Sequence, residues 1–196
     1  MKKELQNYDI VIANLESPLT SLKKTYVCKS MHLKADPCNV ELLKYLNISA
    51  VSLANNHIAD YGKKGIQETI ELLEKAGIKW FGVGGKALKL LLNGERLSIS
   101  GFCCYSTNGT HYGGKNGVNL LTRNNMEKQL KQDKSKGALS IIEVHWGMEH
   151  TNYPAYEHIQ LMHNLMHKYN GIICGHHPHI VQGIEKSNQS GGAYRL

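Results

Sequence analysis

The sequence predicts a layered α/β fold, and three observations lead there. Short apolar, β-branched runs of strand length alternate with stretches of helical periodicity along the 196 residues. No internal repeat or low-complexity linker interrupts that alternation, so one domain accommodates it. The composition, 41% hydrophobic and 20% charged, is ordinary for a globular chain long enough to bury a substantial core.

Residues 9–14 (DIVIAN) read as the first strand. Asp36-Pro37 then opens a helix through NVELLKYL, since proline in the first helical turn forfeits no hydrogen bond, and Val40, Leu43 and Leu46 share a face. Residues 48–54 (ISAVSLA) form the next strand. Residues 63–76 carry Ile66, Ile70, Leu73 and Ala76 at helical spacing, with Gly77 as the stop signal. Residues 78–84 (IKWFGVG) are a strand, followed by a short helical patch at 87–92. Residues 96–106 (RLSISGFCCYS) read as a strand and 109–117 as a glycine-rich surface loop. A helix at 124–135, a strand at 138–144 (ALSIIEV), a helix at 154–169 and a strand at 171–175 (GIICG) complete the pattern. The domain spans 1–186, and 187–196 reads as a polar tail without a strand pattern.

The net charge of +7 favours anionic partners. The lysines are scattered, with no basic block or aromatic interleaving, so no nucleic-acid partner is expected. No run approaches the roughly 18 apolar residues of a membrane span. The opening MKKELQNYD breaks into polar residues before any apolar stretch, which is not a signal peptide. A cytoplasmic location is the expectation for this sequence, and an extracytoplasmic, membrane-anchored one if an N-terminal anchor has been lost. Five cysteines without CxxC spacing read as reduced thiols that mostly fill the core.

Four strands share one feature. DIVIAN runs into Leu15-Glu16, AVSLA into Asn55-Asn56-His57, SIIEV into His145-Trp146, and GIICG into His176-His177-Pro178-His179. In open α/β sheets ligands bind at the carboxyl ends of the strands. Imidazole with carboxylate and amide oxygen, and no thiolate, suits a borderline divalent metal. His177 and His179 are two residues apart, so in an extended segment both imidazoles point the same way. Singly, each site has an ordinary reading: Glu16 as a loop residue, Asn55-Asn56 as a turn, His145 as an interior histidine. Four such coincidences at strand ends favour one shared site.

The motifs NLESPLT, SLANNHIADYG, VHWGMEH and GHHPHIVQGIE resemble those of the CapA family of poly-γ-glutamate capsule-biosynthesis proteins, over residues 8–185. The resemblance implies a calcineurin-like metallophosphoesterase fold, an α/β/β/α sandwich with one or two divalent ions (Mn²⁺, Zn²⁺ or Fe) held at strand ends. It places Glu16 as a metal-bridging carboxylate, Asn56 and His145 as metal ligands, and His177 and His179 as the closing pair, with His176 leaving that register open by one residue. It sets His57 facing the leaving group. Asp60 then either orients that imidazole or caps the next helix. The implied function is capsule or poly-γ-glutamate biosynthesis, with hydrolysis of a phosphoester as one activity, a phosphorylated substrate or anionic polymer as ligand, and membrane partners in a synthesis complex. The alternatives are a non-catalytic accessory that binds an anionic polymer, or an inactive truncated product. The family pattern begins with a strand ending in a Gly-Asp loop and continues past the closing histidines. Neither has a counterpart in this sequence, so the fold is expected to be incomplete and one metal position is in question.

Overall fold

The computed structural model describes residues 2–104, 117–186 and 191–194. A short helix α1 (Lys2–Leu5) precedes strand β1 (Ile12–Asn14). A 3₁₀ turn at Pro37–Asn39 feeds α2 (Val40–Tyr45), and β2 (Ala50–Ser52), α3 (Gly62–Lys75) and β3 (Lys79–Phe81) follow. The second half holds β4 (Leu88–Leu92), β5 (Glu95–Cys103), α4 (Arg123–Ser135), β6 (Leu139–His145), α5 (Tyr156–Lys168), β7 (Gly171–His176), β8 (Ile184–Lys186) and β9 (Gly191–Ala193).

The strands make two sheets: a parallel one in the order β1-β2-β3 and a mixed one in the order β4-β5-β6-β7-β9-β8. Three apolar layers join four structural ones. Val51, Ile66, Ile70 and Leu73 bury α3 against the first sheet. Ala50, Phe81, Leu88 and Ile99 pack together, the first two from the parallel sheet and the others from the mixed one. Met126, Leu130, Met162 and Leu165 lay α4 and α5 over the outer face of the second sheet. The result is the α/β/β/α sandwich that the sequence resemblance implies. The helical spacing of residues 63–76 is realised as α3, whose Ile66, Ile70 and Leu73 are buried.

Two expectations are corrected. Residues 88–92 are not helical but form β4, antiparallel to β5, with Leu88 opposite Ile99 and Leu90 opposite Leu97. The deciding signal is the adjoining Asn93-Gly94, where both residues take positive φ (51° and 86°), the geometry of a tight hairpin turn. The polar tail also contains a strand. β9 lies parallel to β7 and antiparallel to β8. Its Gly-Gly-Ala sequence hides the usual pattern because a Cβ on Gly192 would meet Met162 Sδ at 2.9 Å. The expected glycine-rich loop falls, apart from Gly117, outside the described residues.

Candidate metal centre

Asn55 explains why an apolar strand ends in two asparagines. Its Oδ1 accepts from the His57 and Ile58 amides at 3.1 and 2.9 Å, turning the chain sharply after β2. Its Nδ2 donates to Leu15 O at 2.8 Å and Asn14 Oδ1 at 3.2 Å, which ties the end of β1 to this turn. Asn56 is thereby released toward the site. Its Oδ1 lies 3.0 Å from His145 Nε2, at the end of β6.

Glu16 follows β1, and Asn14 Nδ2 donates to its Oε2 at 3.0 Å. Its other oxygen, Oε1, lies 3.7 Å from His145 Nε2 and 3.8 Å from His179 Nε2. The His145 and His177 rings are 4.8 Å apart, and those of His177 and His179 6.0 Å. Glu16, His177 and His179 can each present one ligand atom within 4.8 Å of the others. The structure therefore brings Glu16, Asn56, His145, His177 and His179 to one edge of the sandwich.

The closing loop gets there by a different route from the expected extended segment. His177 and His179 both have positive φ, 97° and 57°. Left-handed backbone at two non-glycine residues is strained. Side chains in such a bend converge through the turn of the backbone rather than by strand alternation. His176 is engaged elsewhere: its Nε2 pairs closely with the Glu143 carboxylate on β6.

His57 stands beside this group. Its Nδ1 is 2.8 Å from Asp60 Oδ2, which also accepts the Leu33 amide at 2.7 Å. Lys29 makes a close ion pair with Asp60, donates to Asn56 O at 2.7 Å, and lies 3.1 Å from His57 Nδ1. Asp60 does not cap α3, whose N-cap position is Tyr61. It is fully buried, and burial pushes its carboxyl up. The hydrogen bonds from His57, Lys29 and Leu33 outweigh this and hold it below the usual carboxylate range.

Burial pushes His145 well below the usual imidazole range, reinforced by the neighbouring histidines. Burial likewise pushes His177 down to about 4. Both rings are therefore neutral at neutral pH, the form in which imidazole binds metal. The Nδ1 atoms of His145 and His177 are buried with no hydrogen-bond partner among the described residues. His145 Nε2, the His177 and His179 rings, the Glu16 carboxylate and the Asn56 amide oxygen make a donor set that fits a borderline divalent cation.

Sequence reasoning missed Lys29, Asn14 and Glu143. Lys29 sits 28 residues before His57 in an irregular segment, where no periodicity marks it. Glu143 stood in plain view in SIIEV, as a carboxylate inside an apolar strand.

Two stacked sheets between helical layers, with polar side chains gathered at strand ends, define the metallophosphoesterase type of fold. A Staphylococcus aureus protein described as a 5'-nucleotidase has a solved structure that superposes with a TM-score of 0.59 at 12% identity, covering 97% of this chain and 40% of that one. The chain itself belongs to the family of bacterial capsule synthesis proteins (PGA_cap), whose model matches residues 1–196. It is 31% identical over 200 residues to the capsule biosynthesis protein CapA of Bacillus anthracis, covering 94% of this chain and 48% of that protein. It is 30% identical over 191 residues to the PGA biosynthesis protein CapA of Bacillus subtilis (strain 168), covering 92% and 50%. The chain thus spans about half the length of these curated relatives. Among the described residues, no helix is long and apolar enough to cross a membrane.

Proposed function

We propose that this chain acts in poly-γ-glutamate capsule biosynthesis through a divalent-metal centre of the phosphoesterase kind, hydrolysing a phosphoester. The observation that carries the proposal is the gathering of Glu16, Asn56, His145, His177 and His179 from four separate strand ends. In this reading Glu16, His177 and His179 hold the ion (Mn²⁺, Zn²⁺ or Fe), with Asn56 and His145 as further donors. A bound divalent ion would supply an activated water and neutralise charge on a phosphate.

The residues around the centre supply the rest. Asp60 and Lys29 engage the Nδ1 side of His57, which leaves Nε2 to deliver a proton to the leaving oxygen. Asn14 and Asn55 hold Glu16 and the 55–57 turn in register, so the donors need little rearrangement when an ion binds. His179 and Glu16 are the more open members, and a substrate phosphate enters from their side. The net charge of +7 favours an anionic substrate or polymer. Partners in a membrane-associated capsule-synthesis complex accord with the family.

The same charge supports a second reading, in which the centre holds an anionic polymer without cleaving it. One experiment addresses both. Metal-reconstituted protein and its His57→Ala variant are screened against phosphomonoesters and phosphodiesters, and tested for poly-γ-glutamate binding. Metal-dependent turnover that His57→Ala removes supports the hydrolase. Polymer binding without turnover of any phosphoester replaces it with the accessory role.

A further inference from the structure

A cavity of about 470 Å³ lies on the opposite face of β5 from the first sheet, between the outer face of the second sheet and α4. Side chains alternate along β5, so Ile99 packs into the layer between the sheets while Ser100 and Phe102 look the other way. The metal-type residues sit elsewhere, at the ends of β1, β2, β6 and β7. Asn125, Lys128, Gln129 and Gln132 recur at i, i+3, i+4 and i+7, which puts them on one stripe of α4, and that stripe lines the cavity. The helix buries Met126, Leu130 and Asp133 on its other side. Among the described residues, no acidic one lines the cavity.

Two further observations indicate a ligand rather than solvent. Ser100 is 1% exposed, and its Oγ has no hydrogen-bond partner among the described residues although it borders the cavity. Lys128 has no ion-pair partner among the described residues. The one acid beside it on the helix, Glu127, is taken by Arg123, Lys131 and Lys168. The glycine-rich rim does not make a phosphate cradle. The amides of Gly84, Gly85 and Lys86 already donate to Gly117 O, Asn119 Oδ1 and Val83 O. The Lys86 ammonium lies 3.5 Å from the Trp80 ring centroid. Asn125 Nδ2 and Gln129 Nε2 each donate once already, to Leu120 O and Asp133 Oδ1, which leaves one N–H on each for a ligand. With the Lys128 ammonium, the Ser100 hydroxyl and the apolar Phe102, these donors suit a carboxylate on an aliphatic, amide-bearing stem.

We propose that this cavity binds a carboxylate-bearing molecule of amino-acid to short-peptide size, such as a γ-linked glutamyl unit. The choice of glutamyl unit rests on the capsule reading above; the cavity and its chemistry do not.

The test is an amide-resolved NMR titration of metal-stripped protein with γ-glutamylglutamate, L-glutamate and inorganic phosphate. Shifts centred on Ser100, Asn119 and the 125–132 stripe are expected with the glutamyl probes and not with phosphate. Lys128→Ala, at an exposed position, should weaken binding by about tenfold or more, as loss of a charge-assisted contact does. Ser100→Val, which fills the cavity floor, should also weaken it. The His177→Ala, His179→Ala double variant should bind unchanged, so a failure of the proposed phosphoesterase would leave this result standing. No binding, tighter binding of phosphate, indifference to Lys128→Ala, or dependence on the two histidines would each overturn the proposal.

Discussion

His57 Nδ1 lies 2.8 Å from Asp60 Oδ2, and Lys29 closes on the same carboxylate from the segment before α2. Three charged or titratable groups thus share one buried corner beneath the candidate centre. Asp60 is the hub, because it accepts from His57, Lys29 and the Leu33 amide together. Removing it leaves the largely buried Lys29 ammonium without its counter-charge. Breaking a buried pair from one side typically costs about 3–5 kcal/mol. Asp60→Ala should therefore destabilise the protein by about 3 kcal/mol or more, read as a lowered urea midpoint. Lys29→Met should cost less, since Asp60 keeps two hydrogen-bond donors. Equal losses from the two variants would show that Asp60 is not the hub.

Phosphoester turnover is expected to depend on His57 separately from metal binding. Loss of a general acid lowers turnover by about 10²–10⁴-fold. His57→Ala should lie in that range at unchanged metal content, measured by elemental analysis of the same samples. A variant that loses its metal would instead make His57 part of the ion's hold on the protein.

Metal binding should rest on the closing loop. The His177→Ala, His179→Ala double change removes two of the three groups that meet within 4.8 Å. Isothermal titration with Zn²⁺ or Mn²⁺ should show binding to the parent and none to the variant. His176→Ala is the companion test, because its imidazole is paired with Glu143 rather than turned to the centre. Its metal stoichiometry should match the parent, and a loss there would move the register by one residue.

Acid should destabilise the metal-free protein as its buried imidazoles are forced to take up protons. Burial depresses His158, which stacks on Trp146 with ring centroids 4.4 Å apart, below its ordinary value of 6.5. His145 and His177 are depressed in the same direction. Between pH 6.5 and about 4 the unfolded chain holds protons that the folded chain refuses. Stability is therefore full above 6.5 and falls as pH drops through that window. Urea midpoints measured across it should decline steadily, and His158→Phe should make that decline shallower. A flat profile would mean that these rings take up protons freely in the folded state.

Much of this was legible in the sequence where one signal dominated. The 3.6-residue spacing of Ile66, Ile70 and Leu73 is enough to define α3, since burial of that stripe is what holds the helix. The strand ends could be read because metal-type residues are uncommon directly after apolar runs. Residues 88–92 misled because leucine and lysine favour helices, whereas pairing with β5 across the Asn93-Gly94 turn decides their state. β9 was invisible for the opposite reason. Glycines suit it because α5 and β7 press on its backbone, and glycine carries no periodicity. Lys29 could not be found at all, because its role depends on a tertiary approach to Asp60.

The close approach of the two sheets beneath the centre gives the last prediction. Gly101 faces the first sheet from near the end of β5. A Cβ there would meet Ser52 Oγ at 2.8 Å, Ala54 Cβ at 3.0 Å and Gly82 Cα at 3.3 Å. The serine hydroxyl can rotate away. The Ala54 methyl and the Gly82 backbone cannot, and Ala54 is the residue immediately before the Asn55 turn. Gly101→Ala should therefore overpack the interface, with a cost of about 1–3 kcal/mol. It should also loosen the metal centre, because a shift at Ala54 carries Asn55 and Asn56 with it, and Asn55 is what ties β1 to that turn. Adding Ala54→Gly removes the opposing methyl. The two changes together should cost less than the sum of each alone, a coupling that a double-mutant cycle reads directly in urea. If Gly101→Ala leaves both stability and metal affinity at parental values, the sheets are not held as tightly as this contact requires, and the centre does not depend on their spacing.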